Sequence, residues 1–127
     1  VVAVSHGNHV GKGGYEGKWG FIDVNGKYAR GLKFDAADYF SEGLAAVKLG
    51  YGWGYIDRRG VTVSSLGYDG AEAFSNGRGL VRYKLKYGYV DKSGKLIIPA
   101  KFEYASQFSE DLAVVTLPKA ALSPRVK

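Results

Sequence analysis

The residues most able to do chemistry in this chain are two histidines, a recurring aspartate, a scatter of tyrosines and one basic stretch. His6 and His9 are the only histidines, three apart in Ser5-His6-Gly7-Asn8-His9. That spacing lets two rings share one metal ion. No carboxylate or thiol flanks them, and Gly7, Gly11, Gly13 and Gly14 predict a flexible polar loop instead. Val10-Gly11-Lys12-Gly13-Gly14 lacks the Gly-Lys-Ser/Thr ending of a phosphate-binding loop. Asp23, Asp57 and Asp91 each open an Asp-x-x-Gly segment. A calcium loop needs several oxygens converging on one ion, whereas each segment supplies one regular carboxylate. With no cysteine there is no thiolate nucleophile, disulfide framework or cysteine zinc site. The expectation is a chain that is not an enzyme, with no catalytic residue, metal or cofactor.

Binding has better material. Tyr39, Tyr51, Tyr83 and Tyr28 each align with a non-aromatic residue in at least one other copy of the repeat described below, so some of them should be exposed. Exposed tyrosines offer flat, rigid contact area at low entropy cost, suited to sugar rings or a protein surface. Arg78, Arg82, Lys84 and Lys86 share one parity, and Val81, Tyr83, Leu85 and Tyr87 share the other. A strand running through this segment would carry a cationic and an apolar face. A turn aligned near Tyr83–Lys86 should interrupt that parity. Basic groups interleaved with aromatics are also what a nucleic-acid surface uses.

The elements that must position these residues follow from composition and period. The chain has 127 residues, 46% hydrophobic and 24% charged, with 19 glycines and a net charge of +6. That length suits one domain, and the apolar share is too high for obligate disorder. No run approaches the ~20 apolar residues of a membrane-spanning helix, so no membrane insertion is expected. The basic balance favours anionic surfaces without naming one. Val1 in first position reads as a processed chain or an excised fragment.

Trp19-Gly20 recurs as Trp53-Gly54 and Tyr87-Gly88, a step of 34 residues without gaps. Identical columns at this step are Gly20/Gly54/Gly88, Asp23/Asp57/Asp91, Gly26/Gly60/Gly94, Ala37/Ala71/Ala105, Phe40/Phe74/Phe108, Ser41/Ser75/Ser109 and Val47/Val81/Val115. A similar period belongs to paired-helix arrays. Helix is rejected because every copy carries several glycines, each costing about 1 kcal/mol in a helix interior, and because apolar residues alternate. Each copy divides into strand A (Leu44–Leu49), strand B (Trp53–Asp57) and strand C (roughly Val61–Tyr68). Asp-x-x-Gly is predicted to be a type I turn between B and C, closed by a left-handed glycine bulge. Gly50-Tyr51-Gly52 is read as the A–B reversal, and Phe40-Ser41-Glu42-Gly43 as a link to the next strand A with its phenylalanine tucked inward.

These motifs resemble the WG-repeat family, bacterial β-rich repeats named for their Trp-Gly pair. The resemblance rests on Lys18-Trp19-Gly20-Phe21-Ile22-Asp23, Gly26-Lys27, Phe34-Asp35-Ala36-Ala37 and Phe40-Ser41-Glu42-Gly43-Leu44-Ala45-Ala46-Val47, and on Gly94-Lys95-Leu96-Ile97-Ile98-Pro99-Ala100-Lys101-Phe102-Glu103. Departures are Tyr87 for tryptophan and Arg78 where other copies carry Leu44 and Leu112. The resemblance implies presentation modules attached to varied neighbours in a larger bacterial protein, of the cell envelope or secreted.

The expected fold is all-β: tandem three-stranded antiparallel repeats stacked in an array, open like a solenoid or closed like a barrel or propeller. Residues 1–17 form an N-terminal strand and glycine-rich loop; repeats follow at 18–51, 52–85 and 86–117, and 118–127 is an exit tail. No copy can bury enough apolar surface alone, so copies must lean on each other. Trp19, Trp53 and Tyr87 are expected to fill the seams, with the following glycine making room for a neighbouring ring or backbone. Val1–Val4 should stand in for a strand A in the first copy. The expected work is protein or glycan binding at Tyr39, Tyr51 and Tyr83. The alternative is nucleic-acid or anionic-surface binding at Arg78, Arg82, Lys84 and Lys86.

Overall fold

The aspartate turns set the frame. In a computed structural model that describes residues 2–5 (backbone only), 18–29 and 34–117, the Asp57 carboxylate accepts bonds from the Arg59 and Val61 amides at 2.9 and 3.0 Å. The Gly60 amide bonds the Asp57 carbonyl at 2.9 Å, and Gly60 sits at φ 86°, where a β-branched side chain would be strained. Asp23 and Asp91 bind their turns in the same pattern. The three carboxylates are spent on backbone amides of separate turns, as capping requires. His6, His9 and the tail 118–127 lie outside the described residues.

The described residues form nine strands and no helix. They are β1 (Val2–Ser5), β2 (Trp19–Ile22), β3 (Ala36–Ser41), β4 (Leu44–Leu49), β5 (Gly52–Asp57), β6 (Gly70–Ala71), β7 (Gly79–Tyr83), β8 (Lys86–Val90) and β9 (Leu96–Phe102). Tight turns join β3 to β4, β4 to β5, β7 to β8 and β8 to β9. All pairing is antiparallel, in sheets β1-β2, β3-β4-β5 and β6-β7-β8-β9, and no barrel closes. Bridges Ala105↔Val115 and Ser109↔Leu112 begin a fourth, two-stranded unit. Strand β1 takes the strand A role in the first copy: Val4 opposes Gly20 as Val47 opposes Gly54 and Val81 opposes Gly88.

Two expectations about strands need correction. The segment before each strand A is itself paired: Ser41 opposes Leu44 across Glu42-Gly43, and Ser75 bridges Arg78 across Asn76-Gly77. Left-handed φ values of 55° at Glu42 and 52° at Asn76 mark primed hairpin turns, which match strand twist. Each sheet therefore draws strands from two sequence copies, and the chain crosses between sheets after Phe34, Tyr68 and Phe102. Strand C is also not uniform. In the third copy it is β9; in the second it reduces to bridges Ile56↔Thr62 and Trp53↔Tyr68. In both copies the strand bulges over the glycine of strand B. A Cβ on Gly88 would lie 2.5 Å from the Ile98 carbonyl, and one on Gly54 would lie 2.4 Å from that of Ser65. The room made by glycine is filled by backbone.

Sheets pack face to face, so strand A is buried on both sides. Ala45 and Val47 meet Phe21 and Phe34 of the first sheet, whereas Leu44 and Ala46 meet Phe74, Val81 and Val90 of the third. On its far face the third sheet sets Leu80 and Tyr89 against Ala105, Phe108 and Val115. The seams are filled by Phe21, Tyr55 and Tyr89, each almost completely buried. Trp19, Trp53 and Tyr87 are only half-buried, which corrects their expected role. Each seam ring pairs with a phenylalanine of its own sequence copy that the chain has carried into the next sheet or unit: Phe21 with Phe40 at 4.9 Å, Tyr55 with Phe74 at 4.8 Å and Tyr89 with Phe108 at 4.8 Å. The tyrosine hydroxyls donate to the carbonyls of Glu72 and Ser106. Burial drives the Tyr55 hydroxyl well above its ordinary pKa, so it remains a donor.

Three stability outcomes follow. By chemical denaturation, Tyr55→Ala should cost about 3–5 kcal/mol and Trp53→Ala clearly less, because only the first empties a sealed cavity. Gly88→Ala should cost about 1–3 kcal/mol by driving a methyl group into the β9 backbone. Asp57 and Asp91 have pKa values lowered, chiefly by the Val61 amide for Asp57 and the Ser93 hydroxyl for Asp91. Their contribution should be complete above the usual carboxylate range near pH 4 and be lost as pH falls through their depressed values. Asp57→Asn with Asp91→Asn should flatten that acid slope; an unchanged slope would assign it to other groups.

Candidate functional site

Edge strand β6 carries only Gly70 and Ala71, and this smallness opens the molecule. Trp53 reaches from the second sheet, packed on the Leu44–Tyr55–Val81 cluster. Across β6–β7–β8, Gly70 opposes Arg82 and Arg82 opposes Tyr87. With no bulk on β6, Trp53 and Tyr87 stand as walls of an open groove of about 230 Å³, completed by Gly70, Ala71, Glu72, Leu80 and Arg82. Tyr87 is held from behind by Tyr104, edge-on at 6.2 Å.

The electrostatics of this groove are unusual in one respect. The Arg82 Nε is shielded from solvent and has no hydrogen-bond acceptor. No carboxylate pairs with Arg82 among the described residues; Glu72 lines the same groove beyond ion-pair reach. Buried polar groups are nearly always satisfied, so this donor marks Arg82 as a cation that the fold itself leaves unpaired. Arginine presents a planar fork of donors suited to a carboxylate or similar oxyanion.

The tyrosines singled out from sequence do not converge on this groove. Tyr51 is 100% exposed in the β4–β5 turn, and Tyr39 is exposed on β3; both line neither groove described here. Tyr83 is exposed at the end of β7, edge-on to Tyr68 at 6.2 Å, with the Lys84 ammonium 5.3 Å from its ring centre. Tyr83 and Tyr68 border a second, shallower groove of about 390 Å³ with Ser65, Gly67 and Leu96. Tyr28 is exposed on the first copy.

The basic stretch does not form one face. Lys84 and Leu85 make the β7–β8 turn, both with positive φ, which breaks the parity as expected. Lys86 is ion-paired with Glu103. Arg78 lies beyond the other end of β7, its guanidinium 3.2 Å from the Gly77 carbonyl. Only Arg82 enters the Trp53–Tyr87 groove. Sequence reasoning missed Trp53, Tyr87 and Glu72 because the aromatic column was assigned to the core. The signal was present: Phe21, Tyr55 and Tyr89 share its parity and already supply a seam ring.

A family model of the WG containing repeat matches residues 19–52, 53–85 and 87–117, most of the chain. The chain belongs to the WG-repeat family. Neither curated proteins nor solved structures provide a match. In this WG-repeat protein the aromatic residue of each Trp-Gly or Tyr-Gly pair is partly exposed, and Gly54 and Gly88 admit the bulge of strand C. Because the Arg82 guanidinium is bare, Arg82→Leu should leave stability unchanged or raise it by up to about 1 kcal/mol in urea denaturation. A loss above about 2 kcal/mol would show that the guanidinium holds an internal bond.

Proposed function

We propose that this WG-repeat chain is a non-catalytic binding module that engages a glycan or protein partner at the Trp53–Tyr87 groove, as part of a larger bacterial protein. The observation that carries this reading is an open groove walled by the partly exposed Trp53 and Tyr87 whose cation, Arg82, the fold leaves unpaired. Repeated scaffolds separate folding from recognition: columns shared by all copies hold the seams, and variable columns are free to meet a ligand. Tyr83 with Lys84, Tyr51 and Tyr39 offer further exposed aromatic contact area elsewhere on the surface.

The nucleic-acid reading has less support, since Lys86 is neutralised by Glu103 and Arg78 lies away from Arg82 and Lys84. The two differ in salt response, because phosphate contacts release counterions. Glycan-array screening and pull-down should be run on the parent, Trp53→Ala, Arg82→Ala, and Tyr51→Ala with Tyr83→Ala. Trp53→Ala and Arg82→Ala are expected to lose at least about tenfold in affinity, equivalent to about 1.4 kcal/mol, with circular dichroism unchanged. Retention of the partner by both groove variants would refute this reading. Affinity for DNA or RNA that falls steeply with salt would favour its rival.

A further inference from the structure

Resting on the groove reading above, we propose that the groove recurs one copy earlier and that the pair of clefts binds an acidic, uronate-containing polysaccharide. The register makes the repetition explicit. In the third sheet, Gly70, Arg82 and Tyr87 form one row across β6–β7–β8. In the second, Ala36, Lys48 and Trp53 form the equivalent row across β3–β4–β5. Each row reads small residue, cation, aromatic ring. The preceding sheet supplies the other wall, Trp53 bridged to Tyr68 in one case and Trp19 bridged to Phe34 in the other. Two residues past each bridge the chain enters the small position, and an acid follows at Glu72 or Asp38. Lys48, like Arg82, makes no direct ion pair among the described residues, although its charge is felt by the Asp35 carboxylate. The row ends at the fourth unit, where Tyr104 and Thr116 bond each other and Tyr104 packs onto Tyr87. The small residue and the cation are both gone there, so the pattern yields two clefts.

The chemistry of a cleft selects its ligand. Indole and phenol walls suit the apolar C–H face of a sugar ring. A guanidinium or ammonium binds the ring carboxylate, the former through two parallel bonds. Glu72 and Asp38 offer carboxylate oxygens to sugar hydroxyls. A groove of about 230 Å³ is smaller than the ~300–1,000 Å³ of a drug-sized pocket, and its open ends let a chain pass through one ring at a time. Packed sheets lie about 10 Å apart, so neighbouring clefts fall within the span of a short oligosaccharide and couple by avidity.

The test titrates the full chain, following tryptophan fluorescence and calorimetry, with a galacturonic acid disaccharide, a long galacturonic acid oligomer and the methyl-esterified long oligomer. The long acid should bind at least about tenfold tighter than the disaccharide, and esterification should remove most of that affinity. Lys48→Gln should reduce long-oligomer affinity toward the disaccharide value, while Arg82→Gln should weaken both ligands, each with native circular dichroism. Length-independent affinity, or no effect of Lys48→Gln, would overturn the recurrence and leave the single-groove reading standing. Equal binding of the esterified oligomer would overturn the acidic class. Absence of binding by all three glycans would overturn the inference entirely, and the array and pull-down results then decide the groove reading separately.

Discussion

Everything in this structure depends on a ring from one sheet being sealed by a ring from the next. Phe21, Tyr55 and Tyr89 are buried only because Phe40, Phe74 and Phe108 cover them across the seam. Small sheets cannot bury both faces by themselves, and here the middle sheets do so by sharing each face with a neighbour. Polar bonds fix the spacing of the seam. The Ser41 and Ser75 hydroxyls donate to the Phe74 and Phe108 carbonyls at 2.7 and 2.6 Å, and the Gly77 amide reaches Glu42 one copy back at 2.8 Å. The crossing of the chain from one sheet to the next makes those bonds local in space although a full copy separates them in sequence.

Seen from the seams, the identical columns have distinct duties. Asp57 and Gly60 make a turn, Gly54 and Gly88 make room for a bulge, Phe74 seals a ring, and Ser75 ties one copy to another. The columns left free lie in rows across the sheets. There Arg82 stands where another copy has Lys48, and Tyr87 where another has Trp53. A scaffold whose stability resides in its seams can change these row residues at small cost, which is how one period can serve recognition.

Much of this was legible in the chain itself. The 34-residue period, the all-β class, the aspartate turns and the substitute first strand all follow from spacing and turn chemistry, because those constraints act over a few residues. What spacing did not disclose was the two-sided burial of strand A. Ala45 and Val47 show the expected alternation, but Leu44 and Ala46 are equally buried, since a second sheet covers the other face. The same blindness placed Trp53 in the core: with one buried face assumed, the largest ring takes it. Tertiary stacking gave that place to Tyr55 and left Trp53 at the rim. The groove arises from Gly70 and Ala71 meeting residues of two other sequence segments, a juxtaposition that depends on where the chain crosses between sheets.

The most direct test of the central claim is a double-mutant cycle on Tyr55 and Phe74, with Tyr55→Leu, Phe74→Leu and the double variant compared by chemical denaturation. Rings sealed against each other across a seam predict a coupling energy of about 0.5–1.5 kcal/mol beyond the sum of the single effects. Strict additivity of the two substitutions would show that the sheets stand independently, and the account of an array held together at its seams would be wrong.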